Sequence, residues 1–195
     1  MLAGLVLAGG RSSRFGSDKA AAMLHGKSLL ELGVDALKAH CGAVAVSARA
    51  GSAGEVLAQD IGLPVLTDMV GDGDGPLAGV RAGLIWAQGL GAEALAVRPV
   101  DAPFLPDDLV EQLMAVIGDA PAALAVSANG PEPLCSLWTL KALHPLTAAL
   151  ADGNHPAVHR FLDEIGAARW DAPDPAAFAN VNTPEEMAKA LARPN

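Results

Sequence analysis

The residues most suited to chemistry follow the first apolar run of the chain. Residues 2–7 form a short apolar run that is typical of a buried strand. Gly9 and Gly10 come soon after it, and glycines let the backbone turn sharply and approach another molecule closely. Three cations then occur within nine residues: Arg11, Arg14 and Lys19. A loop of this kind can direct backbone N–H groups and fixed positive charge at one anion, so it predicts a polyphosphate-binding site.

The loop does not match the common phosphate-binding motifs. Walker A requires a lysine that follows glycine and precedes serine or threonine, whereas Lys19 follows Asp18 and precedes Ala20. The dinucleotide motif G-x-G-x-x-G requires spaced glycines, whereas Gly9 and Gly10 are adjacent. The interpretation of this loop therefore depends on its residue types and not on a common motif.

The overall composition makes this local positive charge more informative. The chain has 195 residues, a formal net charge of −9 and 51% hydrophobic residues. Its acidic balance argues against general nucleic-acid binding, which requires a basic face. Apolar runs stay short of the roughly 18 residues that a membrane span requires, so we expect no membrane insertion. Two cysteines, Cys41 and Cys135, are too few for a disulfide framework and are predicted to be buried thiols of a cytoplasmic protein.

Short apolar runs alternate with longer amphipathic segments along the chain. Strands are predicted at 2–7, 44–47, 64–66, 95–100, 122–127 and 134–139, with Pro99 interrupting the fourth near its end. Helices are predicted at 27–40, 52–59, 76–88, 106–117, 141–150, 157–165 and 184–192, the last opened by a capping box of Thr183 and Glu186. This alternation predicts an α/β fold, a Rossmann-like three-layer sandwich whose mostly parallel sheet has helices on both faces. We expect one domain over residues 1–195.

Polar residues follow several of the predicted strands. Ser47, Asp68 and Asp101 each come at or just after a strand end, where a doubly wound sheet binds its ligands. Asp101 lies between prolines and suits a Mg²⁺ ligand beside a polyphosphate, although an aspartate there also suits a turn or a helix cap. Asn180 and Asn182 are two residues apart, so in an extended segment both side chains could reach one polar ligand. Asparagine before a helix is also common in turns.

Four motifs together resemble the molybdenum cofactor guanylyltransferases, a family of nucleotidyltransferases. The first is the string L-A-G-G-R-S-S-R-F-G-S-D-K that ends at Lys19. The others are V-D-A-P-F-L-P around Asp101, where the family usually has C-D-T-P-F-L-P, then G-P-L-A-G from Gly75, and N-V-N-T-P from Asn180. The resemblance extends from Leu2 to about Met187. It departs from the family at Ser47, where asparagine is common, and in the partly missing arginines of residues 153–165.

The resemblance implies a site that spans most of the chain. Lys19, Arg14 and Asp101 are the implied catalytic residues, with Asp101 also holding Mg²⁺. The implied nucleotide-binding residues are Leu7, Ala8, Gly9, Gly10, Lys19, Ser47, Asp68, Gly75, Pro76, Leu77 and Asp101. The implied molybdopterin side comprises Asn180, Asn182 and Arg160. Residues 1–105 would then mainly bind nucleotide, and residues 106–195 would mainly bind molybdopterin.

The implied reaction transfers GMP from GTP to the phosphate of molybdopterin and releases pyrophosphate. Transient contact with proteins that mature molybdoenzymes is implied as well. Three alternatives remain open from the residues: a cytidylyltransferase for the same cofactor, a sugar-phosphate nucleotidyltransferase, and a non-catalytic GTP-binding regulator. Gly9 favours guanine, because the cytidylyl branch usually has alanine there. The length of 195 residues leaves little room for the extra lobe of a sugar-phosphate enzyme.

Overall fold

The structure, a computed structural model, describes residues 1–9, 18–67 and 75–193. The strands are β1 (Leu2–Leu7), β2 (Met23–Leu24), β3 (Lys27–Ser28), β4 (Ala43–Ser47), β5 (Val65–Leu66), β6 (Ala94–Pro99), β7 (Ala122–Ser127), β8 (Gly130–Thr139) and β9 (Ala168–Asp171). The α-helices are α1 (Leu29–Lys38), α2 (Ala53–Asp60), α3 (Pro76–Gly89), α4 (Leu109–Ile117), α5 (Leu143–Ala149), α6 (Val158–Glu164) and α7 (Pro184–Leu191). Short 3₁₀ turns occur at Lys19–Ala21, Leu140–Ala142, Ala151–Gly153 and Pro175–Phe178.

The main sheet has the strand order β5-β4-β1-β6-β8-β7-β9. Pairing is parallel between β4 and β5, between β1 and both of its neighbours, and between β7 and β9. β8 is antiparallel to β6 on one side and to β7 on the other. The prediction of a mostly parallel sheet is therefore confirmed, with β8 as the strand of opposite direction.

Two apolar cores cover the two faces of this sheet. On one face, α1 and α4 pack through residues such as Leu30, Val34 and Leu113. On the other face, α3, α5 and α6 pack around a buried aromatic pair in which Trp138 stacks on Phe161 at 6.2 Å between ring centroids. Helices on both faces confirm the predicted three-layer arrangement, because each face of the sheet is apolar and has to be covered.

Helix ends follow local capping chemistry. Ser28 caps α1 in a reciprocal capping box with Glu31, so the helix begins at Leu29 and the two preceding residues of the predicted helix form β3 instead. The predicted capping box of Thr183 and Glu186 at α7 is confirmed. Pro99 is the last paired residue of β6 and does not interrupt it, because it lies where the strand ends. The sequence analysis missed β9 and the small β2–β3 pair, whose runs of two to four residues are too short for a periodic signal.

The remaining composition-based predictions concern the cysteines and membrane insertion. Cys41 and Cys135 are free and buried as predicted. Burial raises the pKa of the Cys41 thiol to about 11 and raises that of Cys135 still further. Across the described residues, no helix combines the length and the apolar character that crossing a membrane would require.

Candidate functional site

Three adjacent strands end together at one edge of the sheet. The register pairs Leu7 of β1 with Ser47 of β4 and with Pro99 of β6. Two further backbone hydrogen bonds extend this alignment: Ala8 N–H donates to the Ser47 carbonyl at 2.8 Å, and Val100 N–H donates to the Leu7 carbonyl at 3.0 Å. The chain at Ala8 and the segment that leads to Asp101 therefore leave the sheet side by side, as expected for the ligand-binding edge of such a fold.

A three-residue polar cluster lies at this edge. The Lys19 ammonium donates to Asp101 Oδ2 at 3.2 Å and also donates to Asn182 Oδ1. The side chains of Lys19 and Asp101 are only 17% and 23% exposed, so water screens their attraction less than at an open surface. The cluster joins residues that are 82 and 163 positions apart in the sequence. These three predicted site residues are thus brought together by the fold.

Asp18 holds Lys19 in place. Its Oδ1 accepts from Ala20 N–H at 3.1 Å, which caps the 3₁₀ turn that begins at Lys19. Its Oδ2 accepts from Ala53 N–H at 2.9 Å and from Gly54 N–H at 3.4 Å, the first two amides of α2. The sequence analysis missed this role, although aspartate before a helical turn is a known capping signal. The contact of Asp18 with the start of α2 could not be predicted from the sequence, because only the fold brings Ala53 and Gly54 to this carboxylate.

Two backbone carbonyls fix the segment that carries Asp101. The Asp101 carbonyl accepts from Val181 N–H at 2.8 Å, and the Ala102 carbonyl accepts from Nη2 of Arg98 at 3.0 Å. Arg98 is only 5% exposed, and its Nε has no hydrogen-bond partner among the described residues. Burial lowers the pKa of its guanidinium, because the charged form loses hydration. A buried arginine with a single hydrogen bond to this segment indicates that Arg98 holds the backbone beside Asp101.

Arg98→Met is expected to change stability by no more than about 1 kcal/mol while lowering activity. Methionine fills a similar volume, and loss of the costly buried charge offsets loss of the hydrogen bond. The turnover rate is expected to fall about tenfold, because the Ala102 carbonyl is no longer held and small misplacements of reacting groups are costly. Thermal unfolding and steady-state rates measure the two effects. Arg169→Met is the matched control, since Arg169 is exposed and pairs with Asp163, and an Arg98 variant as active as that control would contradict the assignment.

Asn182 is oriented by the start of α7. One carboxylate oxygen of Glu186 accepts from the backbone N–H groups of Asn182 at 2.6 Å and of Thr183 at 3.1 Å. The capping box therefore fixes the backbone of Asn182 while its side chain contacts Lys19. Asn180, two residues earlier, is exposed. The two asparagines therefore differ in this structure: the Asn182 side chain accepts from Lys19 in the polar cluster, whereas Asn180 is exposed.

The segment that begins at Gly75 packs closely on the strand ends. Gly75 is the extended residue before α3, Pro76 is exposed and Leu77 is 2% exposed. A Cβ added at Gly79 would lie 2.6 Å from the Ser47 hydroxyl and 3.0 Å from Leu7, so only glycine allows this approach. Ser47 itself is 6% exposed beneath α3.

The remaining predicted site residues are either exposed or lie outside the described residues. Arg160 is exposed on α6. His155, which was not among the predicted site residues, lies near the start of α3, since a Cβ added at Gly75 would be 3.9 Å from its Nδ1. Three predicted residues lie outside the described residues: Gly10, Arg14 and Asp68.

The chain also resembles known proteins in sequence. A family model described as the MobA-like NTP transferase domain matches residues 4–168, which include β1, Lys19 and Asp101. The chain belongs to this family of nucleotidyltransferases. The polar cluster of Lys19, Asp101 and Asn182 thus lies at the strand-end edge of a nucleotidyltransferase domain.

Two relatives in this family match the chain over almost their whole length. A molybdenum cofactor guanylyltransferase of Rhodobacter capsulatus is 43% identical over 191 residues, covering 97% of this chain and 94% of the relative. The protein of the same name from Cereibacter sphaeroides is 40% identical over 190 residues, covering 97% and 95%. Identity at this level over nearly the full length shows that these relatives belong to the same family as this chain.

Solved structures support the fold. Molybdopterin-guanine dinucleotide biosynthesis protein A from Archaeoglobus fulgidus has a TM-score of 0.77 at 23% identity, covering 97% of this chain and 96% of that one. A 2-C-methyl-D-erythritol 4-phosphate cytidylyltransferase from Thermus thermophilus has a TM-score of 0.69 at 15% identity, covering 96% of each chain. At these identities the similarity bears on the fold alone.

Proposed function

We propose that this protein transfers GMP from GTP to the phosphate of molybdopterin, forming the guanine dinucleotide cofactor and pyrophosphate. The observation that carries the proposal is the cluster of Lys19, Asp101 and Asn182 at the strand ends, in a chain at least 40% identical to molybdenum cofactor guanylyltransferases over nearly its full length. An oxygen of the acceptor phosphate forms the new bond to the α-phosphorus of GTP. The bond from that phosphorus to the bridging oxygen of the β-phosphate breaks, and pyrophosphate leaves with its electron pair.

The residue types suit this reaction. The attacking phosphate is already anionic, so no side chain has to act as nucleophile or strong base. The protein instead has to hold two polyanions in line and stabilise the charge that develops between them. Lys19 supplies an ammonium at the strand ends, and Arg14 supplies a second cation in the glycine loop. In this proposal both bind the triphosphate of GTP.

Asp101 and Asn182 are suited to hold Mg²⁺. Their side-chain oxygens both contact one cationic group, the Lys19 ammonium, so the oxygens converge where a cation is favourable. Mg²⁺ prefers oxygen ligands and is usually bound through one or two carboxylates plus substrate phosphates. In the proposal Asp101 is the protein's metal ligand, with Asn182 beside it. When bound, Mg²⁺ supplies a strong positive charge to the phosphate oxygens.

The two substrates are assigned to neighbouring parts of the edge. Residues 1–105 mainly bind GTP, through the nucleotide residues Leu7, Ala8, Gly9, Gly10, Ser47, Asp68, Gly75, Pro76 and Leu77. Residues 106–195 mainly bind molybdopterin, through Asn180, Asn182 and Arg160. The reaction is proposed to take place in the cytoplasm, with transient contact with proteins that mature molybdoenzymes and with neither nucleic acid nor membrane as partner.

Incubation of the purified protein with molybdopterin, Mg²⁺ and one nucleotide at a time tests this proposal. GTP, CTP and ATP are compared, and pyrophosphate release and the dinucleotide product are measured. The proposal expects both products with GTP. GTP binding without pyrophosphate release would indicate a regulator, and transfer to a sugar phosphate in place of molybdopterin would indicate a sugar-phosphate nucleotidyltransferase.

The wild-type protein is expected to prefer GTP to CTP. A glycine backbone leaves room for a purine, and the guanine edge can be matched by main-chain donors and acceptors. A site that provides those groups disfavours cytosine by about 1–3 kcal/mol for each buried group left unpaired. Steady-state rates with each nucleotide, measured side by side, check this preference. Equal or better use of CTP would overturn the guanylyl assignment and leave a nucleotidyltransferase of different base specificity.

The Gly9→Ala substitution tests the preference for GTP by changing the protein instead of the nucleotide. A Cβ at Gly9 meets no atom within 4 Å and the residue does not have a positive φ, so the variant is expected to fold normally. Its use of GTP is nevertheless expected to fall, because the added methyl group would crowd a bound purine. Gly89→Ala is a matched control, since a Cβ there also meets nothing within 4 Å. Unchanged GTP use by the Gly9 variant would show that the guanine base does not bind against Gly9.

A further inference from the structure

The β7–β8 hairpin lies at the same edge of the sheet as Asp101. β8 is antiparallel to both β6 and β7, so β6 and β7 run in the same direction. β6 ends at Pro99, just before Asp101, and β7 ends at Ser127. The turn between Ser127 and Gly130, where β8 begins, is therefore at the ligand-binding edge of the sheet. None of its residues was predicted as part of the site.

The register places Glu132 of this hairpin beside the Asp101 segment. Val97 of β6 pairs with Ser136 of β8. Ser136 also pairs with Leu124 of β7, after which the register shifts. Asp101 comes four residues after Val97, and Ser127 comes three residues after Leu124. Because the Glu132 carboxylate accepts from the Ser127 hydroxyl, it lies at about the same height along the strands as the Asp101 segment. Glu132 also pairs with Ala125 and shares its face of the sheet.

A further observation supports this placement. Burial raises the pKa of the Cys135 thiol, and the carboxylates of Glu132 and Asp101 both add to that rise. Both carboxylates are thus within electrostatic reach of one side chain.

The Glu132 carboxylate is held by a buried serine. The Ser127 hydroxyl donates to Oε1 of Glu132 at 2.9 Å, and Asn129 N–H donates to the Ser127 oxygen at 3.1 Å. Ser127 is only 6% exposed, whereas Glu132 is half-buried at the surface of the hairpin. Within the described part of the chain, Oε2 of Glu132 has no hydrogen-bond donor. One carboxylate oxygen is thus fixed and the other is left to accept from a ligand.

A carboxylate in this place selects for a particular ligand chemistry. It repels phosphate, so it does not serve the polyphosphate of GTP or the phosphate of the acceptor. It accepts hydrogen bonds from N–H donors, and the pyrimidine ring of a pterin carries two adjacent ones, the ring N3–H and the 2-amino group. Guanine has a similar edge, but Gly9 follows β1, and the α3 segment that begins at Gly75 packs on Leu7 of β1 and Ser47 of β4. Glu132 lies on the other side of Asp101, with β7 and β8.

We propose that Glu132, held by Ser127, binds the amino-pyrimidine edge of the pterin acceptor and so makes the β7–β8 hairpin the acceptor-recognition wall of the site. This inference rests on the proposed function, because it assumes a pterin acceptor. Glu132 is a binding residue here and takes no part in the bond changes at phosphorus.

Direct binding of neopterin phosphate, a stable fluorescent pterin that carries a phosphate, tests the proposal without turnover. Glu132→Gln and Glu132→Ala are each expected to weaken its binding about tenfold or more, because a hydrogen-bonded charged acceptor is lost. Ser127→Ala is expected to weaken it less, because the carboxylate stays but is no longer oriented. The affinity for a fluorescent GTP analogue is expected to stay unchanged in all three variants. Glu93→Gln is the control, since Glu93 is exposed and precedes β6 at the opposite edge of the sheet.

Three results would overturn the proposal: no binding of neopterin phosphate by the wild type, unchanged binding by both Glu132 variants, or an equal loss of affinity for the GTP analogue. Thermal unfolding of each variant shows whether it is folded, and Ser127→Ala provides a second probe if a Glu132 variant is not. Failure of the proposed function gives a different result. In that case the wild type releases no pyrophosphate with GTP and molybdopterin, whatever the effect of Glu132 on pterin binding.

Discussion

Asp101→Asn is expected to lower the rate of GMP transfer by a factor of about 10² to 10³. The substitution keeps the size of the side chain but removes the charge that suits Asp101 to bind Mg²⁺ beside the triphosphate. Loss of one preorganised electrostatic contact of this kind typically costs about 2.7–4 kcal/mol of transition-state stabilisation. The fold is expected to persist, because the Asp101 backbone carbonyl still binds Val181 N–H and the Ala102 carbonyl still binds Arg98. Steady-state rates over a range of Mg²⁺ concentrations measure the effect.

Asp35→Asn is the matched control for this prediction. Asp35 is about half exposed on α1 and pairs with Lys27 at 2.6 Å, outside the polar cluster. Exposed ion pairs contribute roughly 0–1 kcal/mol, so this variant is expected to keep its activity and nearly all of its stability. Near-normal turnover of the Asp101→Asn variant at low Mg²⁺ would show that Asp101 is not a ligand of Mg²⁺.

Lys19→Ala is expected to abolish most activity and to weaken GTP binding. The Lys19 ammonium contacts Asp101 and Asn182, and in the proposed reaction it moves its charge toward the triphosphate. A rate loss of about 10² or more is expected, because the cation is lost at the point where negative charge develops. Titration with a fluorescent GTP analogue and single-turnover rates separate the loss of binding from the loss of catalysis.

Lys27→Ala provides the comparison for Lys19, since its ammonium is 54% exposed and pairs with Asp35. That variant is expected to bind and use GTP as the wild type does. If Lys19→Ala kept both the affinity for GTP and the rate, Lys19 would be a structural partner of Asp101 and Asn182 with no role toward the nucleotide.

The contact between Lys19 and Asn182 joins the two substrate regions. Lys19 belongs to the implied nucleotide side and Asn182 to the implied molybdopterin side, yet one hydrogen bond connects them. If the proposed assignment of the two regions is correct, they meet at the Lys19 ammonium, as transfer between two bound phosphates requires. Substrate binding on either side would compete for the same ammonium.

Much of the fold could be predicted from short stretches of sequence. The apolar run of β1, the cap of α7 and the alternation of strands with helices depend on residues a few positions apart. Such signals are local, because periodicity and capping are set by neighbouring residues. The placement of Lys19 and the proline-flanked Asp101 near strand ends could be predicted for the same reason. The predicted roles of all the site residues stay predictions, and Gly10, Arg14 and Asp68 lie outside the described residues.

Only the tertiary structure decided which of these groups meet. Lys19, Asp101 and Asn182 come from three distant segments, and their contact depends on the parallel pairing of β1 with β6 and on the bond from Val181 to Asp101. The same holds for Asp18 at the start of α2 and for Glu132 beside the Asp101 segment. These contacts arise from strand order, register and the packing of helices on the sheet. No pattern within a few residues encodes them, because they are set by burial of apolar faces across the whole domain.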